Sequence, residues 1–327
     1  MSVAGRLDPD VASTAPQAEP EVTVIIVSYN TRDLTVKAVE TLLDNAGDVT
    51  MRVVVFDNAS ADGSAEAVAA RFPGVEVIAH PENIGFGRAN NLVAETATTE
   101  WLLLLNPDTE THPRAVENLL AFAKAHPEAG ITGGRTVFPD GSLNPSSCWR
   151  RMTPWGLFCN AAGLSRLFPH SEVFNPEAFG GWKRDTVRQV DIVVGCFLMI
   201  PTRLWRELGG FDRRYFMYGE EADLCLRARE KGYRPMVTPE AQIMHLVGAS
   251  TNVASEKTVK VACAKASLIR DHWSPPMRPV GIGLMWLWSL GRRIGVEIAA
   301  ATSGNTAARD KWRTVWQRRS EWLKGYP

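Results

Sequence analysis

Glu220, Glu221 and Asp223 put three carboxyl groups into four positions in the stretch YGEEADLCLRAREKG. Acids at a helix start interact favourably with the helix dipole, which is reason enough for them to be there. Clustered carboxylates also repel one another, which raises at least one pKa and suits a general base. A second acid, Asp108, follows the run WLLLLNPDTET at residues 101–111. Pro107 lacks the N–H a central strand needs, so the ladder stops there and Asp108 falls just past its carboxyl end. It serves either as a ligand for a divalent ion that also binds a diphosphate, or as the cap of the helix that follows.

Three further groups carry polar chemistry. In FDNASADGS, Asp57, Asn58 and neighbouring hydroxyls can hydrogen-bond a base and ribose. They equally make an Asx-turn, with Ser60 or Asp62 capping the next helix. In NIGFGRANN, Asn83 precedes Gly85 and Gly87, which permit close backbone approach, and Arg88 adds charge at a helix N-terminus that favours phosphate. The spacing is not that of the dinucleotide fingerprint. His245, after AQIM, is either a structural imidazole or a metal ligand.

The elements that position these groups read as strand, helix, strand, helix. VTVIIVSYN, MRVVVFDNAS, VEVIAH and WLLLLNPD are apolar runs without alternation, as in parallel strands covered on both faces. Helical patterns and glycine stops separate them, which predicts an α/β domain with a mostly parallel sheet. Ser28, Asn30, Asp57, Asn58, Asn83 and Asn106 recur at one end of the strands, where open α/β sheets bind ligands. Beyond residue 135 the pattern loosens and 160–189 shows little periodicity. VDIVVGCFLMIP reads as a strand and RPMVTPEAQIMHL as a strand pair broken at Pro239.

The chain has 327 residues and no formal net charge, but residues 256–327 hold 13 Lys/Arg against 5 Asp/Glu. The first 255 residues therefore carry 23 and 31 of the 36 of each kind. Six of the 11 tryptophans also lie in that basic tail. Five scattered cysteines without a CxxC pair read as reduced thiols. Residues 1–20 lack the apolar segment of a signal peptide and read as a disordered leader. No apolar stretch approaches the roughly 20 residues of a spanning helix.

Taken in order, VSYN, DNASADGS, NIGFGRANN, NPDT, GGFDRRYFMYGEEADLCLRAREKGY and HLVGAS resemble the family 2 glycosyltransferases. The similarity is to the rhamnosyltransferase-like branch acting on lipid-linked glycans, and it covers roughly residues 22–252. It implies a GT-A fold over 21–255, with a donor half to about 135 and an acceptor half from 136. It implies an inverting transfer from a dTDP- or UDP-linked sugar, with L-rhamnose as first expectation, to a glycan or polyprenyl-diphosphate-linked acceptor in cell-envelope polysaccharide synthesis. By the same resemblance Asp57 meets the pyrimidine, and the DxD motif falls on Asn106–Asp108 with an asparagine in place of its first acid. Asp108 is then the main carboxylate ligand of Mg²⁺ or Mn²⁺, with His245 a further ligand. Glu221 holds the base position, and Glu220 and Asp223 are its possible substitutes.

Residues 256–327 are expected to form a helical extension. Tryptophan among Lys/Arg is the composition of an interfacial helix, which suggests peripheral attachment to the inner face of the cytoplasmic membrane. Packing on the catalytic domain or on a second subunit is the alternative. The membrane reading further expects donor binding to survive removal of residues 278–327. No nucleic-acid partner is expected. A nucleotidyltransferase making nucleotide sugars should carry a glycine-rich loop after the first strand, and VSYNTRDL has none. A non-catalytic glycan-binding or scaffold protein would have no need of Asp108, Glu221 and His245 together.

Overall fold

A computed structural model of the chain describes residues 19–246, 254–303 and 306–327. The leader up to residue 18 and residues 247–250 of HLVGAS lie outside the described residues. The apolar runs become strands. β1 (Val22–Ser28), α1 (Arg32–Asn45), β2 (Met51–Asn58), α2 (Ser64–Arg71), β3 (Glu76–His80), α3 (Phe86–Glu95) and β4 (Trp101–Leu105) alternate along the chain. The strands lie in the order β3-β2-β1-β4, all parallel, so their carboxyl ends share one edge. Successive residues of β4 explain the leucine run. Leu102 and Leu104 enter the apolar layer beneath α3, while Trp101, Leu103 and Leu105 enter the layer beneath α1 and α4 (Ala115–Ala125).

The second half is built differently. It contains β5 (Thr109–Thr111), β6 (Thr132–Val137), β7 (Leu143–Asn144), β8 (Cys148–Trp149), α5 (Pro154–Ala161), α6 (Leu164–Leu167), β9 (Arg188–Gln189), β10 (Ile192–Val193), β11 (Phe197–Pro201), α7 (Thr202–Leu208), α8 (Glu220–Glu230) and β12 (Met236–His245). The sheet continues β4-β11-β6-β12-β5, with β11 antiparallel to both its neighbours and β12 parallel to β6. Pro239 does not split a strand pair. β12 is one strand whose register against β6 shifts between Val237 and Gln242, and the irregularity accommodates the proline.

The tail forms α9 (Ala254–His272), α10 (Arg278–Ser303), α11 (Ala307–Gln317) and α12 (Arg319–Trp322). Of its six tryptophans one is buried, four are partly buried and Trp286 is exposed. Trp322 is fully buried and donates its indole N–H to the Val315 carbonyl at 2.8 Å. Trp288 meets Trp312 edge-on at 5.0 Å, and Trp286 lies 5.5 Å from Trp316. Leu157 of α5, Ile269 of α9, Met285 of α10 and Val315 of α11 share one apolar cluster. Removing residues 278–327 would uncover that cluster, so the tail is not a detachable appendage. All five cysteines are free and buried. Among the described residues no helix is long and apolar enough to cross a membrane.

Candidate active site

Asp108 and His245 meet because two strands end together. β12 runs antiparallel to β5 with His245 opposite Thr109, and the Leu246 N–H donates to the Asp108 carbonyl at 3.1 Å. This sets His245 Nε2 3.3 Å from Asp108 Oδ1, with both side chains buried. Burial alone would lower the imidazole pKa. The Cys196 sulfur and the Asp108 carboxylate outweigh it and push His245 up to about 10. Its Nδ1 is buried without a hydrogen-bond partner. Among the described residues no three His, Cys, Asp or Glu side chains converge as a closed metal cage. One carboxylate beside one imidazole is a partial donor set, which would suit an ion taking its other ligands from elsewhere.

The acids of α8 face the same cleft. Gly219, at φ 92°, makes the left-handed entry to the helix. Glu220, Glu221, Asp108 and His245 all line a cavity of about 1080 Å³. Glu220 is buried with Oε2 unpartnered, and Glu221 is less enclosed. Both carboxyl groups are raised above the ordinary range. Burial raises Glu220 most, followed by the charge of Glu221, and burial raises Glu221.

Asp223 does not belong with them. Its carboxylate takes Arg227 at 2.7 Å and His272 Nε2 at 2.9 Å, while His272 Nδ1 meets Glu230 at 3.1 Å. It ties α8 to α9 and is spoken for, which removes it as a substitute base. The three acids are split by packing: Glu220 and Glu221 line the cleft, while α9 lies against Asp223 and takes its carboxylate through His272.

Of the donor-side residues, Asn58, Asn83 and Asn106 line the cleft with Asp108. Asn58 Oδ1 accepts the Ile84 N–H at 2.8 Å, and Asn83 Oδ1 accepts that of Gly85 at 3.0 Å. Asp57 keeps both of its roles in play: Oδ2 accepts the Ser60 N–H at 2.9 Å, while Oδ1 is buried and unpartnered. Ser28 is fully buried and bonds Thr31 and Thr35, so its hydroxyl is turned from the cleft. Asn30 bridges to the next loop, its Oδ1 accepting the Ala61 N–H at 2.8 Å.

The glycine loop departs further from expectation. The Phe86 N–H donates to the Phe216 carbonyl at 3.1 Å, so the helix N-terminus is closed by protein. A Cβ on Gly85, at φ 86°, would stand 2.4 Å from that same oxygen. Arg88 is exposed, and its Nε donates to the Arg213 carbonyl at 3.2 Å. The motif thus docks α3 against the segment leading into α8, and its Gly85 makes room for the Phe216 carbonyl. Asn91 strengthens the seam, bonding both the N–H and the carbonyl of Phe211.

Sequence reading missed one wall of the cleft. Lys257, Val261, Ala264, Leu268 and His272 of α9 line it, together with Trp149 of β8. Their spacing of three to four residues was a legible signal, masked by its place in a stretch read as an extension.

The fold and this cleft can now be set beside known proteins. Residues 23–190 match the Glycosyl transferase family 2 domain. The chain belongs to that family. This glycosyltransferase is 29% identical over 213 residues to the N-acetylglucosaminyl-diphospho-decaprenol L-rhamnosyltransferase of Mycobacterium tuberculosis, covering 61% of the chain and 67% of the relative. It is 26% identical to rhamnosyltransferase WbbL of Escherichia coli, covering 68% of the chain and 83% of the relative. In fold it is similar to the mannosyltransferase PcManGT of Pyrobaculum calidifontis, solved with GDP-Man and Mn²⁺. That match has a TM-score of 0.54 at 20% identity and covers 93% of this chain and 85% of the other.

Proposed function

We propose that this glycosyltransferase moves L-rhamnose from a nucleoside-diphosphate donor to a lipid-linked glycan of the cell envelope, with inversion at the anomeric carbon. The observation that supports it most is the sharing of one cleft by the Asp108–His245 pair and the Glu220–Glu221 pair. The two rhamnosyltransferase relatives support the sugar, and the first of them, named for a decaprenol-linked substrate, supports the acceptor class. The PcManGT complex supports a divalent ion.

In this reading Asn58, Asn83 and Asn106 orient the donor, and Asp57 meets its base through the unpartnered Oδ1. Asp108 and His245 would hold Mg²⁺ or Mn²⁺. When bound, the ion neutralises charge on the departing diphosphate. Glu221 removes the proton from the acceptor hydroxyl as that oxygen attacks from the face opposite the leaving group. Glu220 lies beside Glu221, its carboxyl raised by burial and by the charge of that neighbour. The protein works at the inner face of the cytoplasmic membrane, where such an acceptor is presented.

The test is to incubate the protein with dTDP-rhamnose, UDP-glucose and UDP-N-acetylglucosamine, with and without Mn²⁺, and to read the product anomer by NMR. Transfer from dTDP-rhamnose with inverted configuration is expected. Retained configuration would contradict single displacement, and preference for another donor would overturn the sugar.

A further inference from the structure

The chain carries an exposed apolar surface where its composition does not advertise one. Leu167 is 70% exposed and Val173 61%, and Trp155, Phe158 and Phe168 are each close to half exposed. Their rings are linked: Trp155 stacks on Phe158 at 5.6 Å and meets Phe174 at 6.3 Å, and Phe174 meets Phe168 at 5.0 Å. The Trp155 indole N–H is satisfied by the Val173 carbonyl at 2.7 Å, so the patch exposes carbon and little unpaired polarity. The tail tryptophans are more covered, Trp286 and Trp288 meeting Trp316 and Trp312, with Trp286 the one exposed.

The patch continues onto α10. A Cβ on Gly291 would lie 3.7 Å from the Ala161 carbonyl at the end of α5, and Ile294 and Ile298 follow on the same helix face, both more than half exposed. Two guanidinium groups stand within this surface. Burial and the nearby charge of Arg166 hold Arg292 below its ordinary range. Among the described residues neither Arg166 nor Arg292 forms an ion pair. Unpaired cations inside an apolar patch suit a protein interface poorly, because a partner would desolvate them. A lipid surface suits both parts: rings at headgroup level and guanidinium groups on phosphates. The patch also adjoins the cleft, since Thr153, Pro154 and Asn160 of the same segment line its mouth.

We infer that the α5–α6 aromatic patch, with Arg166 and Arg292, is the surface that docks this protein on an anionic bilayer and holds the cleft mouth at the headgroup level. The inference rests on the lipid-linked acceptor proposed above. Docking through α5 and α6 presents the acceptor hydroxyl to Glu221 without lifting its lipid far from the membrane.

The full-length protein is tested by co-sedimentation with vesicles of phosphatidylcholine alone or mixed with phosphatidylglycerol, at low ionic strength. Leu167→Glu with Phe168→Glu should lower partition onto both vesicles by ~10-fold or more, and Arg166→Glu with Arg292→Glu should erase the preference for the anionic ones. Arg309→Glu with Lys311→Glu, on α11, should change partition little. Light scattering and transfer to a detergent-soluble acceptor analogue accompany each variant, and the patch variants should retain that transfer. The inference is overturned by a wild-type protein that ignores anionic vesicles or by undiminished partition of the Leu167/Phe168 variant. It is equally overturned by loss of partition in the α11 variant alone, or by a wild-type dimer that the patch variant dissolves. Failure of the wild type on the soluble acceptor would count against the proposed function and leave the vesicle result to stand on its own.

Discussion

Between Val22 and Leu105 the sheet is parallel, and each strand delivers polar residues to one edge by the same register. Beyond Asp108 the sheet is mixed, with β11 antiparallel to both its neighbours and β12 parallel to β6. The cleft wall is assembled from β8, α8 and α9, drawn from separate parts of the chain between Cys148 and His272. The first region positions groups by repetition, so one strand end predicts the next. The second positions them by individual contacts, such as Asp223 with His272 and Asn144 with the His245 carbonyl, that no periodicity announces. A residue in the first region is therefore expected to matter through what it touches in the cleft. A residue in the second is as often expected to matter through what it holds.

The largest effect should come at Asp108, where the first region hands over to the second. Asp108→Ala removes the carboxylate proposed to hold the ion against the diphosphate, and loss of that charge stabilisation should slow transfer by ~10³-fold or more. Steady-state kinetics across a Mn²⁺ titration would show it. Near wild-type turnover with unchanged metal response would reduce Asp108 to an anchor for His245. The second region should answer differently. Asp223→Ala leaves Arg227 and His272 without their carboxylate and should cost about 3 kcal/mol of stability, while turnover per folded molecule persists. Loss of turnover at an unchanged melting temperature would return Asp223 to the chemistry. His272 sharpens this prediction. Burial opposes its charge, but Asp223 and Glu230 raise its pKa overall. Its contribution is full below its unfolded pKa of about 6.5 and is lost as pH rises through the raised folded value. Thermal melts of wild type and His272→Gln should therefore converge toward alkaline pH, and a constant gap would deny the ion pair.

Smaller effects separate the glycine loop from the donor site. Gly85→Ala forces a left-handed residue against the Phe216 carbonyl and should cost about 1–3 kcal/mol. Arg88→Ala, with its guanidinium on an exposed carbonyl, should change stability by less than about 0.5 kcal/mol and leave donor affinity untouched. A fall in donor affinity by calorimetry would restore Arg88 to the phosphate site.

Legibility in the sequence followed the same division. β1, β2 and β4 were visible because a strand buried on both faces must be apolar at every position, and their ends marked Asp57 and Asp108. The acid cluster was visible by composition, but its split was not, since only packing of α9 on α8 turns Asp223 away. The contact of the glycine loop with Phe216 was not legible, because a loop built for backbone approach looks alike whether a phosphate or a carbonyl approaches. The tail tryptophans were legible as one helix face, but not as to what lies against it. Amphipathic spacing fixes which face is apolar and says nothing of what covers it.

The claim that joins the two regions is that Glu221 of α8 acts as base on a donor held by the strand ends. It is tested most directly by the kinetics of Glu221→Gln as a function of pH, with donor affinity measured in parallel. Burial raises the Glu221 carboxyl, so wild-type kcat/KM should fall with decreasing pH on a limb above the ordinary glutamate value of about 4.3. In Glu221→Gln the rate should drop by ~10²-fold or more, that limb should vanish, and the donor Kd should stay as in the wild type. A larger loss in Glu220→Gln, or a limb that survives in Glu221→Gln, would contradict the assignment.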